Sequence, residues 1–307
     1  GTGVGAAVAP VIDEILPGVP MFPVVSGSLE SARELGVALK TVSVDALVGI
    51  GGGCTIDVAK YAASMAGLPF VSVATTLTHD GLASPVAVLD DAGHKGSYGV
   101  HSPIAVVVDL DYVAEGPVRH VQSGVGDAIS NLSAIHDWEL GRLVTGESVD
   151  GLAVAMARTA GHSVLHNPHP NASMEFLLSL ADALVMSGIA MSVAGSSRPC
   201  SGAEHEISHA INALYPNDRL HGELVAVGTL FASYLRDDPE LAEIDQCFRT
   251  RGLPRLPEDV GLDAGQFAAA LAAAPATRPG RFTILEHLDL DPAQIEDRVA
   301  GFRKAFG

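Results

Sequence analysis

Positive charge is what this chain has least of. Its 307 residues carry 18 Lys and Arg against 36 Asp and Glu, a formal net charge of −18. Proteins that grip nucleic acid neutralise phosphates with clustered cations, so the balance argues against a nucleic-acid partner and against an anionic membrane surface. An anionic small molecule would have to be held by local donors against an unfavourable overall field. Cysteine is nearly absent. Cys54, Cys200 and Cys247 are odd in number and widely spaced, which gives neither a disulfide framework nor a C-x-x-C metal knuckle and fits a reducing cytoplasm. The start, Gly1-Thr2-Gly3-Val4, has no charged segment of a signal peptide. Aromatics make up 5% of a chain that is 48% hydrophobic, so the core is expected to be built of Ala, Val, Leu and Ile. An uninterrupted membrane-length run is also missing. Leu177–Gly195 is apolar, but Asp182 and several Ser and Gly break it, and it reads as a buried core helix.

The length favours two domains. In the first third, helical and strand patterns alternate. Helical spacing covers Gly5–Leu16 and Ser28–Leu39, Met21–Val25 reads as a short strand, and Asp45–Ile50 as a buried strand running into Gly51-Gly52-Gly53. A helix over Thr55–Ala63 follows, then strands over Phe70–Ala74 and Ile104–Val108. Such alternation predicts a parallel sheet with helices on its faces. After Gly116-Pro117 the texture becomes Ala-, Leu- and Met-rich and helical. The expected organisation is an α/β, Rossmann-like domain over residues 1–118 and an all-α domain over 119–307.

Four stretches carry chemistry. His205 and His209 are spaced i, i+4, so on a helix both imidazoles share a face, and His221 follows in Leu-His-Gly-Glu. Neutral imidazole is the commonest metal ligand, and a catalytic metal takes three protein ligands and keeps a position open. Asp127, in Gly-Val-Gly-Asp at the expected start of the first helix of the second domain, is either an N-cap or the third ligand of an Asp–His–His set. Zinc suits that donor mix, with iron and nickel as alternatives. Gly51-Gly52-Gly53 between strand and helix is a place for a pyrophosphate, or only a tight turn. Thr75-Thr76-Leu77-Thr78-His79-Asp80-Gly81 after the next strand is a ligand-holding loop or a capping and turn cluster.

The segments GGGCTIDVAK (51–60), THDGLASP (78–85), GVGDAISNLSAIHDWEL (124–140), SGAEHEISHAI (201–211) and LHGELVAVGTL (220–230) resemble, in order, those of the glycerol-1-phosphate dehydrogenases. These lie in the superfamily of glycerol dehydrogenase, iron-containing alcohol dehydrogenases and dehydroquinate synthase. The resemblance implies an active site in an interdomain cleft. Asp127, His205 and His221 would be the metal ligands, and Gly51, Gly52, Gly53, Asp57, Thr75 and Thr76 would lie on NAD or NADP. Asp80 and His209 would face the substrate, a polyol phosphate or ketone, with His209 serving in proton relay or substrate anchoring, or else only orienting its neighbours. The implied reaction interconverts dihydroxyacetone phosphate and sn-glycerol 1-phosphate, or a related pair, in a cytoplasmic homo-oligomer without membrane insertion. A cyclase that uses NAD catalytically and a non-catalytic relative are the competing readings. The chain departs from the family at Cys54, where Lys or Arg is usual, and at Ala74, where Pro is usual. It also departs over Ser97–His101, where a Lys is usual, so the sequence offers no basic partner at those positions for a substrate phosphate.

Overall fold

The computed structural model describes residues 4–307. They divide into two compact units, one holding the chain up to Leu77 and Gly81–Gly116, the other Thr78–Asp80 and Pro117–Gly307.

In the first unit, helices α1 (Val4–Ile15) and α2 (Leu29–Leu39) precede strand β1 (Leu47–Gly51), helix α3 (Gly53–Ala66) and strand β2 (Phe70–Ala74). Strands β3 (Val86–Asp91), β4 (His94–Gly99) and β5 (Ala105–Val108) and the short helix α4 (Leu110–Glu115) complete it. Ser28 caps α2, its Oγ accepting from Ser31 N at 3.1 Å. The expected strand over Met21–Val25 does not form. Val24 packs against the Leu29, Ala32 and Val58 cluster while Val25 is 85% exposed, so the segment runs extended over the core without pairing to a neighbouring strand. The main sheet is parallel in the order β1-β2-β5, with Leu47 opposite Phe70 and Val71 opposite Ala105. Helix α3 is the crossover between β1 and β2, packing Ile56, Ala59 and Ala63 onto Phe70.

β3 and β4 form an antiparallel hairpin that the sequence pattern does not announce. Its turn places Ala92 and Gly93 at φ 53° and 89°, the two successive positive values of a type I′ turn, and Asp90 Oδ1 accepts from Gly93 N at 2.9 Å. Lys60 of α3 is completely buried and donates to Gly81 O at 2.6 Å and Ser84 O at 3.1 Å, with Asp57 Oδ1 3.3 Å away. A buried ammonium survives only with such partners, and here they pin residues 81–84 against α3.

The second unit is helical: α5 (Val118–Thr145), α6 (Gly151–Leu165), α7 (Met174–Ala194), α8 (Ala203–Leu214), α9 (His221–Leu235), α10 (Leu241–Arg251), α11 (Ala264–Ala273), α12 (Ile284–Leu288) and α13 (Pro292–Phe306). Most of α5 is buried, and α6, α7, α8 and α9 all pack against it. By length and composition α7 could cross a membrane, yet 56% of its most apolar window is buried inside the protein. The N-terminus of α9 approaches α5 so closely that a Cβ on Gly222 would run into Ser123 O, and one on Gly126 into Gly222 O. Only glycine permits that approach.

Candidate active site

Asp127 does not open a helix. It lies well inside α5, buried, on the face turned towards α8 and α9. That placement removes the N-cap reading, because its own backbone groups are already in the helical ladder. The helix starts earlier than the sequence pattern indicates, at Val118 just after Pro117. Asp127 Oδ1 is 3.4 Å from His221 Nε2 and 3.9 Å from His205 Nε2, and the three potential ligand atoms all lie within 4.8 Å of one another. A tetrahedral zinc with bonds of ~2.0–2.1 Å sets its ligand atoms about 3.3 Å apart, so the donor set and spacing fit a metal of that size.

Each of the two buried groups is held through its other atom. Asp127 Oδ2 accepts from Asp80 N at 2.7 Å. His205 Nδ1 pairs with Glu204 Oε1 at 3.0 Å, which leaves Nε2 facing Asp127. Carboxylate on one imidazole nitrogen and metal on the other is a recurrent pairing that fixes tautomer and ring orientation. Glu204 is itself held by Gly202 N and by Ser133 Oγ, the latter at 2.7 Å. His221 is positioned through its backbone. Gly222 N donates to Ser123 Oγ at 3.0 Å, and Ser123 Oγ in turn donates to Thr78 O at 2.9 Å. Glu223, gripped by Arg119 at 2.6 and 2.7 Å, accepts from Leu220 N and closes the start of α9.

Burial works against charge on Asp127, but the His221 hydrogen bond, foremost among its interactions with the neighbouring histidines, outweighs it and keeps the carboxyl below its usual range. Glu204 behaves alike: burial opposes ionisation and the His205 bond overcomes it. Burial lowers the His205 pKa despite Glu204, so the imidazole is neutral, the form that binds metal. The His221 side chain is 31% exposed, which gives the cluster one accessible side. The His79 ring lies 6.0 Å from that of His221.

The other sequence candidates fall into two places. His209, one turn beyond His205, does not join the Asp127 cluster. Its Nε2 meets Arg278 Nη2 at 3.0 Å, and burial first, then Arg278, drive its pKa well below the usual histidine value. Gly51, Gly52 and Gly53 make the turn from β1 into α3. Gly51 has φ 156°, and a Cβ there would press on Thr55. Gly52 lies beside Thr76, whose Oγ1 would be 3.2 Å from an added Cβ, and Thr75 N donates to Gly51 O at 3.0 Å. Asp57 is buried and turned to Lys60, so it supports the turn from behind. Glu204, Asp137, Arg278 and Arg281 went unnoticed in the sequence. Asp137 is fully buried and accepts from Ala203 N and Ile284 N, both at 2.8 Å, and pairs with Arg236 at 2.8 Å, which anchors the start of α8.

The family profile of iron-containing alcohol dehydrogenases matches residues 3–117. The glycerol-1-phosphate dehydrogenase [NAD(P)+] of Thermofilum pendens is 40% identical over 299 residues, covering 94% of this chain and 85% of that protein. That of Thermococcus sibiricus is 38% identical over 278 residues, covering 89% and 79%. Among solved structures, glycerol dehydrogenase of Schizosaccharomyces pombe superposes with a TM-score of 0.71 at 24% identity, covering 91% of this chain and 74% of that one. Sulfoacetaldehyde reductase of Bifidobacterium kashiwanohense, solved with NAD+, gives 0.73 at 15% identity, with 97% and 88% covered. These last two share the fold. The sequence relatives establish more: the chain belongs to the glycerol-1-phosphate dehydrogenase family.

Proposed function

We propose that the protein is a metal-dependent, NAD(P)-linked dehydrogenase that interconverts dihydroxyacetone phosphate and sn-glycerol 1-phosphate. The observation that carries the reading is the Asp127–His205–His221 cluster, with its neutral His205 imidazole, oriented carboxylate and one exposed side. Asp127, His205 and His221 would hold the metal, zinc by preference and iron or nickel with the same donors. A bound metal supplies positive charge where a ketone oxygen gains negative charge, and a bound nicotinamide supplies or takes the hydride.

The chain's own part is placement. Glu204 holds the His205 ring, and Asp80 N holds the Asp127 carboxylate. With Nε2 taken by Arg278, His209 serves as an anchor at the substrate end rather than as a proton relay. Asp80, whose backbone holds Asp127, would face a substrate hydroxyl in this reading. The backbone donors at the start of α3, with Thr75 and Thr76, suit a dinucleotide pyrophosphate at the carboxyl ends of β1 and β2. The enzyme works in the cytoplasm as a homo-oligomer in this reading. Large apolar side chains left open on α5, α6 and α7, among them Leu143, Leu152 and Leu178, offer surface for association, which sedimentation would measure.

The test is oxidation of NADH and NADPH by the zinc-loaded protein with dihydroxyacetone phosphate, followed by chiral analysis of the product. Formation of the 1-phosphate enantiomer supports the reading. Turnover of unphosphorylated dihydroxyacetone alone would overturn its substrate, and absence of turnover with either ketone would overturn the reaction.

A further inference from the structure

The family's usual basic positions are vacant of Lys and Arg in this chain, yet a phosphorylated substrate needs cations. Two arrive from a different part of the sequence. Arg278 and Arg281 lie in the segment leading into α12 and converge on the turn after α7. Arg281 Nη2 donates to Ser197 Oγ at 2.9 Å and Nη1 to Ser201 O; Arg278 Nη1 reaches the same Ser197 Oγ at 3.4 Å. Arg278 Nη2 also contacts His209 Nε2 at 3.0 Å. Both arginines are partly buried, and they share one hydroxyl.

That convergence is electrostatically costly. Burial, then Arg278 and Arg198, bring Arg281 down to about 10, with Glu206 and Glu204 opposing the shift only in part. Arg198, buried nearby, is already spoken for by Glu147 at 2.7 and 2.9 Å. His209 touches Arg278 and stands one turn from His205 on α8, so the arginine pair and the proposed metal ligands share one neighbour. A dianion placed against the pair relieves the repulsion, and two guanidinium forks match the oxygens of a phosphoryl group. In a three-carbon ketone phosphate the phosphoryl group sits on the carbon next to the carbonyl, so the two ends of the substrate need anchoring points that close neighbours can supply.

Resting on the dehydrogenase reading above, we propose that Arg278 and Arg281 clamp the phosphoryl group of the substrate, with Ser197 and His209 aiming the two guanidinium groups. Specificity for a phosphorylated ketone then comes from α8 and the segment before α12, not from the positions where the family's lysines usually stand.

The experiment compares wild-type protein with Arg278→Met, Arg281→Met and Arg281→Lys, all zinc-loaded. It reads the ratio of kcat/KM for dihydroxyacetone phosphate to that for dihydroxyacetone, and separately the affinity for inorganic phosphate by calorimetry. Each Met substitution is expected to lower the ratio roughly 10- to 150-fold, the range of one hydrogen bond to a charged group. Phosphate binding should weaken in step, and Arg281→Lys should recover part of both. An unchanged ratio with unchanged phosphate binding overturns the clamp. So does an equal fall on both ketones with phosphate binding intact, since that marks general disruption. If wild-type protein reduces neither ketone, the dehydrogenase reading falls, while calorimetry still judges the anion site. Phosphate bound by wild type and lost in both Met variants sustains it, and equal binding by all refutes it.

Discussion

Glu204→Gln tests the assembly of the metal cluster without touching a proposed ligand. The substitution keeps the shape and an acceptor oxygen, so Gly202 N and His205 Nδ1 can retain their partner. What it removes is the negative charge behind His205. Carboxylates in that position contribute about 10- to 100-fold to metal affinity. With free zinc held at ~100 times the wild-type Kd, metal stabilises the wild-type fold by about 2.7 kcal/mol. A tenfold weaker variant keeps about 1.4 kcal/mol and a hundredfold weaker one about 0.4, so the loss is about 1.3–2.3 kcal/mol. For a helical unit of this size that is roughly a 3–9 °C drop in the zinc-dependent part of the melting temperature. Thermal unfolding with buffered zinc and with chelator, combined with competition against a metal-binding dye, measures both quantities. Equal zinc affinity in variant and wild type would refute the claim that Glu204 tunes His205. A lower melting temperature in chelator alone, with affinity unchanged, would make Glu204 a structural residue of the α8 start.

Other substitutions probe the same structure. His221→Ala or Asp127→Asn should abolish tight zinc retention and turnover together, as measured by metal analysis of the purified protein; full activity in either would remove the metal reading. Gly222→Ala forces a Cβ into Ser123 O and should cost about 1–3 kcal/mol in urea unfolding, with weaker zinc binding because His221 moves. Lys60→Met leaves Asp57 buried without its ion-pair partner and removes the Lys60 bonds to Gly81 O and Ser84 O; a loss of about 3–5 kcal/mol is expected, and adding Asp57→Asn should return part of it. His209 supplies the pH test. Its folded pKa is depressed, so the stability it contributes is present above the unfolded value of ~6.5 and is lost as pH falls below it. His209→Gln should therefore match wild type in that respect above neutrality and gain on it as the pH drops, by at most about 1.4 kcal/mol per pH unit. A difference that does not vary between pH 7 and 5 would contradict the neutral histidine.

The parallel sheet was legible because β1, β2 and β5 are short β-branched runs alternating with helices; the burial expected of Asp45–Ile50 is only partly met, since Val48 is 51% exposed, and β5 is half open. The family was legible because five motifs stand in order. The hairpin was not. β4, His-Lys-Gly-Ser-Tyr-Gly, is largely exposed, so its side chains carry little alternation, and the turn uses Ala92 where Asn or Gly would have signalled it. Met21–Val25 shows the converse error, an extended segment that packs Val24 on the core but pairs with no neighbouring strand. At the site, the i, i+4 spacing of His205 and His209 is plain in the sequence. That one ring turns to Asp127 and the other to Arg278 depends on contacts from α5 and from the segment before α12, far away in sequence. The arginine pair had no local signature at all. Arg278 and Arg281 bracket a Pro-Gly turn, and their meaning comes only from Ser197 and His209.

The segment Thr78–Asp80 belongs with the helical unit, bonded to α5 through Ser123 and Asp127, before the chain rejoins the first unit at Gly81. The proposed metal cluster therefore depends on chain closures linking residue 80, residue 127 and the stretch 205–221, three places far apart in sequence. Closures of that range are slow to form, because loop entropy must be overcome before any contact rewards it. Tight metal binding should consequently be among the last properties the refolding chain acquires. Cobalt(II) in place of zinc would turn that property into a clock: its tetrahedral absorption band would appear only once the helical unit and the 78–80 excursion had both locked, well after the far-ultraviolet helix signal was complete.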